Sequence, residues 1–540
     1  METVEDESAR AGEDAAPAPR ASRAGLVRAG LVLTSLYLVS RLLGWVRVSV
    51  LAAVFGTGRD LDVYYAAFRI PDLMFQLVAA GALASALIPM IASLVATGDR
   101  QRAWRVTSTV TNLMLVALLV LLLAFEVAAP VLAPIITPGF APDDLARMVD
   151  LTRIMLVSPI LLALGTVATS ILNANDRFGA AAVAPIAYNL GIIGGAVLLS
   201  APLGVLGLAI GVVGGSIAHL AVQLAPVRRV GFRYTPTVDL SDPRARQSLL
   251  LLAPRAFGLG VTQVIFVVVT SIASTLGAGA ITILNFAWTL VLIPIGVVGV
   301  PLGAVVFPSL ARDHATGSSA AYLSLVTRAT RLIVFVMVPL TGLAIVLRRE
   351  AVTLLFDYGR YDPAATESIA TTLAFFMLGL VALSAIQVLA RAFYAREDTR
   401  TPVIAATITV VVNSALAIVL AAPYGLAGIA TSFTVANWIE VLVLVGVLRR
   451  RLPSFDLGGV ARLLAETTLI TAVASVTAGL AVDAILGAGH ALNQLTSVEA
   501  GLIGVPVFGL VFLAGIAVLR VPELGDVTRL LAGAARRARA

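Results

Sequence analysis

The sequence contains no cysteine and no lysine, and it has only three histidines. The missing cysteine excludes thiol nucleophiles, disulfide bonds and thiolate metal sites. The missing lysine excludes a P-loop ATPase, whose lysine contacts the nucleotide phosphates, and an enzyme that forms a Schiff base. His219, His314 and His490 lie far apart in the chain and lack the spacing of metal ligands. We therefore expect no catalytic residue, no metal site and no cofactor.

Charge is also scarce. Charged residues make up 13% of the 540 residues, and hydrophobic residues make up 59%. An ordinary soluble domain has about 25% charged residues, and half that share cannot cover a soluble surface of this size. The mean hydropathy is +0.97. This composition excludes a soluble enzyme, a coiled coil or a disordered chain, and it predicts an all-α polytopic membrane protein.

Apolar runs of the length that crosses a bilayer, about 20 residues, occur about fourteen times. The predicted spans are 30–56, 61–95, 106–132, 148–173, 180–200, 204–226, 249–275, 280–310, 329–348, 367–391, 402–422, 425–448, 460–484 and 498–519. The second and eighth spans are longer than a bilayer requires, and each contains prolines. We therefore expect bent helices there, with Pro71, Gly81 and Pro294 as candidate hinges.

The arginines predict the orientation. Twenty-eight of the 38 lie in the tails and in one set of alternate loops, and five lie in the other set. Because cytoplasmic loops are enriched in basic residues, both termini are expected in the cytoplasm and the protein in the plasma (inner) membrane. Residues 1–29, rich in acidic residues, alanine and proline, are expected to form a disordered cytoplasmic tail, and 520–540 a second one.

The remaining five arginines lie five or more residues inside predicted spans, where an arginine near the bilayer centre costs about 2.5–3.5 kcal/mol. They are Arg41, Arg47, Arg69, Arg153 and Arg255. Such residues face a water-filled cavity or an acidic partner. Arg41 and Arg47 lie in the middle of a long apolar run and are about 120° apart around a helix. Both could line one broad cavity.

The other three arginines have alternative interpretations. Arg69 and Arg153 could lie near helix ends and extend to the membrane surface. Arg255 could pair with Asp62 or Asp72. Asp62 itself follows a short turn at the outer end of the second span, so it is either a gate residue or a cap at the membrane surface.

An internal repeat relates the two halves of the chain. Arg41-x-x-Gly44 recurs as Arg255-x-x-Gly258, and Ile70-Pro71 recurs as Ile293-Pro294. The two offsets, 214 and 223 residues, are similar. Spans 1–6 and 7–12 are therefore expected to be two copies of one bundle in the same orientation, with the substrate site between them. Arg41 and Arg255 would then face one central cavity.

These boundaries define the expected domains. The N-lobe covers residues 30–226 and the C-lobe covers 227–448. Residues 449–519 add two helices outside the repeat. The fold class is therefore two six-helix lobes plus two extra C-terminal helices.

Several sequence motifs carry a resemblance to a known family. They include Ser40–Arg47 (S-R-L-L-G-W-V-R), Phe55–Gly58 followed by Asp62, Ala67–Leu73, and Ala392–Pro402 (A-F-Y-A-R-E-D-T-R-T-P). With these motifs the chain resembles the MurJ (MviN) family of lipid II flippases, in the superfamily of multidrug, oligosaccharidyl-lipid and polysaccharide exporters. The resemblance covers nearly the whole chain after the N-terminal tail.

The resemblance implies fourteen helices in two lobes around a cationic cavity, and a groove at the last two helices that takes a lipid tail. It also implies that Arg41, Arg47 and Asp62 matter for transport. The chain departs from well-studied members in span eight, where they have charged residues and this chain has Trp288 and Thr289. We expect Arg255 to supply the charge that is missing there.

The sequence thus predicts a transporter, not an enzyme. A lipid II flippase would bind the diphosphate of its substrate at Arg41, Arg47 and Arg255, with Asp62 and Arg69 as gate or coupling residues. The alternatives are a flippase for another polyprenyl-linked glycan, a drug or cation exporter of the same superfamily, and a scaffold for cell-wall synthesis proteins. The expected partners are a polyprenyl-diphosphate glycan and membrane lipids, and no nucleic acid.

Overall fold

The computed structural model describes residues 23–78, 82–244, 246, 263–452, 454–521 and 523. Within these ranges every regular element is a helix. The candidate hinge Gly81 and the candidate cavity residue Arg255 lie outside the described residues.

The first half of the chain folds into ten helices. They are α1 (Arg23–Phe55), α2 (Arg59–Ala67), α3 (Arg69–Val78), α4 (Ala82–Ala96), α5 (Arg100–Ile136), α6 (Pro142–Met155), α7 (Ser158–Asn173), α8 (Phe178–Leu198), α9 (Ser200–Leu203) and α10 (Leu206–Arg229).

The second half continues with helices that follow the linker 230–242. They are α11 (Gln263–Ser274), α12 (Ala280–Pro294), a π-helical turn (Ile295–Gly299), α13 (Val300–Ala315), α14 (Ser319–Val346), α15 (Arg348–Phe356), α16 (Ala365–Met377), α17 (Leu380–Tyr394), α18 (Arg400–Arg451), α19 (Leu457–Leu486) and α20 (Gln494–Leu519).

In the described part of the chain, ten helices are long and apolar enough to cross a membrane, or eleven if the bent pair α16–α17 is one span. The 52-residue α18 is interrupted at Gly425, whose positive φ of 56° separates two halves that are each long enough to cross. The shorter helices α2–α4 and α11 cover the second and seventh predicted spans. The predicted all-α polytopic fold of about fourteen spans is confirmed.

The two predicted bends are present. The second span breaks at Phe68, between α2 and α3. The eighth span changes from α-helix to π-helix directly after Pro294, and proline cannot donate the backbone hydrogen bond that an α-helix needs. One boundary differs from the prediction, because α1 begins at Arg23, inside the expected disordered tail of residues 1–29. The apolar residues Leu26 and Val27 extend the helix beyond the first span.

The loops lie at two ends of the bundle. The near face holds the start of α1 and the loops 97–99, 174–177, 230–242, 316–318, 395–399 and 452–456. The far face holds the turns 56–58, 137–141, 275–279 and 357–364.

Glycines let the turns of the far face meet across the two halves. Gly56 has a φ of +71°, and a Cβ added to it would lie 2.8 Å from the carbonyl oxygen of Arg360. Gly279 has a φ of +86°, and a Cβ there would overlap the carbonyl oxygen of Thr57. Only glycine adopts this conformation at so close an approach without strain. The far face is therefore tightly closed.

Aromatic contacts continue this closure below the turns. Phe286 of α12 stacks on Phe356 of α15, with ring centroids 4.6 Å apart. Its edge also meets Tyr65 of α2 at 6.4 Å. Phe286 is fully buried, and each such aromatic pair adds about 0.5–1.5 kcal/mol beyond the area it buries. The N-terminal and C-terminal halves are thus packed together on the far side of the membrane.

Candidate functional site

Asp62 caps a helix of the opposite half. Its carboxylate is fully buried and accepts hydrogen bonds from the backbone N–H of Gly279 (2.6 Å) and of Thr282 (2.8 Å). The hydroxyl of Thr282 donates a third bond at 2.8 Å. Because α12 begins at Ala280, these N–H groups have no partner within their own helix. Asp62 satisfies them and places a negative charge at the positive end of the helix dipole.

A network of charges on the far face surrounds this cap. Arg59 lies 3.9 Å from Asp62 and 3.5 Å from Asp144, and its guanidinium stacks over Phe140 at 4.8 Å. The sequence left Asp62 as either a gate residue or a surface cap. The structure makes it a buried cap that joins α2 to α12, within the closed far face.

Arg69 joins the two halves deeper in the membrane. Its Nε donates to Thr270 Oγ1 at 2.9 Å, and its Nη2 donates to Asn285 Oδ1 at 3.3 Å. The guanidinium also lies over the ring of Phe266, 5.5 Å from the centroid. These partners belong to α11 and α12. The alternative that Arg69 extends to the membrane surface is therefore wrong.

Asp72 makes a third contact of the same kind. Its Oδ2 accepts a hydrogen bond from Gln263 of α11 at 2.8 Å. Asp62, Arg69 and Asp72 are separated by seven and three residues, so they follow one side of the second span. From the sequence, Asp72 is expected only as a pairing partner of Arg255. Thr282 and Asn285 are not among the predicted site residues, although two polar residues three positions apart in an apolar run indicate a polar contact face.

Arg41 and Arg47 differ from these residues because neither makes a hydrogen bond or ion pair with any other described side chain. Arg41 is exposed on α1, and its guanidinium lies against Gly296, where an added Cβ would overlap it. Arg47 is half-buried, within electrostatic range of the hydroxyls of Tyr64 and Tyr188. Arg41 therefore lies at the boundary between the halves, whereas Arg47 faces the N-terminal half.

The two described candidate hinges lie at helix irregularities. Pro71 is in the first turn of α3, where a backbone N–H has no helical partner to lose. Pro294 ends α12 and directly precedes the π-helical turn. Their role as hinges stays a prediction.

Two cavities of the described structure lie at the edge of the bundle. One, of about 340 Å³, lies between α5 and α6 and is lined by Pro134 and Arg153. The other, of about 240 Å³, is lined by Glu350 and His490. Arg153 pairs with Glu126 at 3.3 Å. Within the described ranges no group of three or more histidine and acidic residues could hold a metal ion.

Comparison with known proteins agrees with this architecture. The model of the family described as "Lipid II flippase MurJ" matches residues 51–492 of the chain. The lipid II flippase MurJ of Burkholderia cenocepacia is 31% identical over 435 residues, which cover 79% of this chain and 84% of that protein. The probable lipid II flippase MurJ of Rhizobium tropici is 33% identical over 436 residues, covering 79% and 81%.

Solved structures support the fold. A structure described as "Lipid II flippase MurJ, inward closed conformation" matches with a TM-score of 0.76 at 23% identity, covering 91% of this chain and 99% of that one. An inward-facing MATE-family multidrug transporter of the MOP superfamily matches with a TM-score of 0.62 at 15% identity, covering 79% and 98%. At these identities the likeness concerns the fold alone. Together with the family match over residues 51–492, it leads to one assignment: the chain belongs to the MurJ family of lipid II flippases.

Proposed function

We propose that the protein moves lipid II, an undecaprenyl-diphosphate-linked peptidoglycan precursor, from the inner to the outer leaflet of the plasma membrane. One observation carries the proposal beyond family membership. Arg41 and Arg47 lie in a membrane-spanning helix, and neither is neutralised by a described residue. They belong to a bundle whose two halves are joined on the far face by the cap of Asp62 and the contact of Gly56 with Arg360.

The chemistry of the head group fits these two side chains. An arginine inside the membrane is costly unless it has an anionic partner, and a diphosphate cannot cross hydrocarbon without cationic partners. Guanidinium groups bind phosphate oxygens through charge-assisted and often bidentate hydrogen bonds. Arg41 lies at the boundary between the halves, so a bound head group there would be reached by either half as the protein changes conformation.

The distribution of arginines supports a direction of transport. The near face carries the loops with most of the arginines, and we assign it to the cytoplasm. The closed far face is then the outer face, and the head group would enter from the cytoplasmic leaflet. Alternating access requires the contacts of Asp62, Arg69 and Asp72 to break when the head group is released outside.

The last two helices offer a path for the lipid tail. α19 and α20 have large apolar side chains exposed to the surroundings, and they pack against α14. These side chains include Leu469, Val473, Val476, Leu480, Leu502, Leu510 and Leu513. We assign the tail to this surface and the head group to the space between the N-lobe, residues 30–226, and the C-lobe, residues 227–448.

The test combines rescue of a bacterium depleted of its own lipid II flippase with lipid II translocation in proteoliposomes. We expect Arg41→Gln and Arg47→Gln each to lower translocation by at least about tenfold, because a charge-assisted hydrogen bond contributes about 1.5–3 kcal/mol. Arg41→Glu should abolish rescue. Arg312→Gln is the matched control, since Arg312 is an exposed arginine on the near face without a described ion pair.

Three outcomes would contradict the proposal. Normal translocation by Arg41→Glu combined with Arg47→Glu would exclude a cationic site on α1. Rescue without any translocation would indicate a scaffold for cell-wall synthesis proteins. Transport of a cationic dye that Asp62→Asn abolishes would indicate a drug exporter.

A further inference from the structure

The guanidinium groups of Arg41 and Arg391 lie against the same face of one segment, which runs from the π-helical turn into α13. Arg391, in the last turn of α17, donates from Nη1 to the carbonyl oxygen of Val300 at 3.1 Å. A Cβ added to Gly303 would overlap this guanidinium. Arg391 has no carboxylate within ion-pair distance among the described residues. Its side chain is half-buried, and most of its five N–H groups remain available.

Three glycines make room for side chains along this face. Gly296, Gly299 and Gly303 are separated by three and four residues, so they follow one side of the segment that runs from the π-helical turn into α13. Each is approached by a polar side chain from a neighbouring helix. The three side chains are Arg41 at Gly296, Ser384 at Gly299 and Arg391 at Gly303.

The two arginines come from different halves and lie at different depths. Arg41 belongs to α1 and Arg391 to α17. Gly303 is seven residues beyond Gly296, which is about 10 Å along a helix, towards the near face. The strip lined by Gly296, Gly299 and Gly303, which we call the groove of α13, therefore presents the guanidinium of Arg391 nearer to the near face. The guanidinium of Arg41 lies about two helical turns deeper in it.

We propose that Arg391 is a further phosphate-contacting residue, which meets the diphosphate of a polyprenyl-linked head group before Arg41 does. The identity of the lipid rests on the proposed function, whereas the phosphate chemistry rests on the groove itself. Hydrogen bonds from Nη1 to the carbonyl oxygens of Val300 and Gln387 hold the guanidinium in position, and the donors of Nε and Nη2 remain for an anion. Two cations at this spacing would pass an anion inwards without burying it unpaired.

The first test does not involve lipid transport. Because the chain has no cysteine, Gln387→Cys places a single thiol one turn from Arg391, whose Nη1 lies 3.5 Å from the carbonyl oxygen of Gln387. Inorganic pyrophosphate should slow modification of this thiol at least about threefold compared with chloride at equal ionic strength. Adding Arg391→Gln should abolish the protection, Arg391→Lys should keep part of it, and Arg312→Gln should keep all of it.

The second test measures lipid II translocation against lipid II concentration. Arg391→Gln should raise the half-saturating concentration about fivefold or more while the maximal rate stays within about twofold, and Arg391→Lys should lie between. A merely structural role would lower the maximal rate and leave the half-saturating concentration unchanged, which would overturn the inference. The inference would also be overturned if pyrophosphate gave no protection while Arg391 is present. Protection that persists in Arg391→Gln would overturn it as well.

The two proposals can fail separately. If the unmodified protein does not move lipid II but pyrophosphate protection depends on Arg391, the phosphate site stands and the lipid II proposal falls. If lipid II moves and Arg391→Gln behaves as the unmodified protein in both tests, the lipid II proposal stands and the phosphate site at Arg391 falls.

Discussion

At the scale of single residues, the sequence shows which charged residues lie within apolar runs but not what they contact. Asp62 and Arg69 were recognisable because charged residues in apolar runs are costly. Their partners, Thr282 and Asn285, come from a segment more than 200 residues away in the chain. The charge count places Arg391 with the arginines of the near face. Its position against Gly303 is a property of the packed helices and has no local sequence signal.

The cap formed by Asp62 leads to a prediction about closure of the far face. Asp62→Asn keeps the size of the side chain but removes its charge and one of its accepting oxygens, so at least one N–H of α12 loses its partner. Losing such a cap costs about 0.5–2 kcal/mol. A thiol at the buried position of Ser274→Cys should then react faster with a water-soluble maleimide, by about threefold or more.

The neighbouring acid provides the matched control. Asp60 is half-exposed and pairs with Arg147, so Asp60→Asn should leave the reactivity of the same thiol unchanged. Equal reactivity in Asp62→Asn and in the unmodified background would show that the cap does not hold the far face closed.

At the scale of helices, the apolar runs predicted the spans well because length and hydropathy are local properties. The predicted third span, 106–132, is one exception, since α5 begins at Arg100 and continues to Ile136. Its first additional turn carries Arg102, which pairs with Asp242 of the linker 230–242 at 2.7 Å, and polar side chains within the predicted span bind the linker backbone. Asn112, for example, donates to the carbonyl oxygens of Thr235 and Thr237 at 3.2 and 2.9 Å. The linker covers this polar surface of α5. Hydropathy cannot predict such a contact, because the two segments are more than 100 residues apart in the chain.

The two halves of α18 return to the near face, where Asp398 joins its beginning to its end. Asp398 accepts from the backbone N–H of Thr401 at 3.0 Å and from Arg451 Nη1 at 2.5 Å. Burial raises the pKa of Asp398, but the hydrogen bonds from Thr401 and Arg451 outweigh burial and lower that pKa to about 2. A carboxyl whose pKa is lower in the folded state stabilises the fold above its unfolded pKa, about 4, and loses this effect as the pH falls towards 2.

We therefore expect Asp398→Asn to destabilise the protein by about 1–2 kcal/mol at pH 7, because the partner Arg451 is half exposed to solvent. The difference in thermal unfolding midpoint from the unmodified protein in detergent should shrink as the pH falls from 4 towards 2. Glu397→Gln, at an exposed neighbouring acid without a described contact, should change neither value. A difference in unfolding midpoint that stays constant with pH would show that the charge of Asp398 does not stabilise the contact between the beginning and the end of α18.

At the scale of the whole molecule, the composition predicted the fold class and the repeat predicted two lobes, but nothing local predicted which face is closed. Closure depends on contacts between turns that are distant in the chain, such as Gly56 with Arg360 and Gly139 with Ser274. Two arrangements of the same helices satisfy the same hydropathy pattern. The conformation is therefore decided by a small number of contacts across the boundary between the lobes, and transport requires these contacts to be reversible.

Locking one of these contacts should stop transport. The hydroxyl of Ser271 in α11 lies 3.3 Å from the carbonyl oxygen of Ile135 at the end of α5, so Ser271→Cys with Ile135→Cys places two cysteines on neighbouring helices across the far face. Oxidation to a disulfide should abolish lipid II translocation in proteoliposomes, and a reducing agent should restore it. Thr434→Cys with Phe375→Cys is the matched control, because the hydroxyl of Thr434 lies 2.7 Å from the carbonyl oxygen of Phe375 within one lobe. If the oxidised Ser271–Ile135 pair transports as fast as the oxidised control, the far face does not open during the cycle, and alternating access between these lobes is wrong.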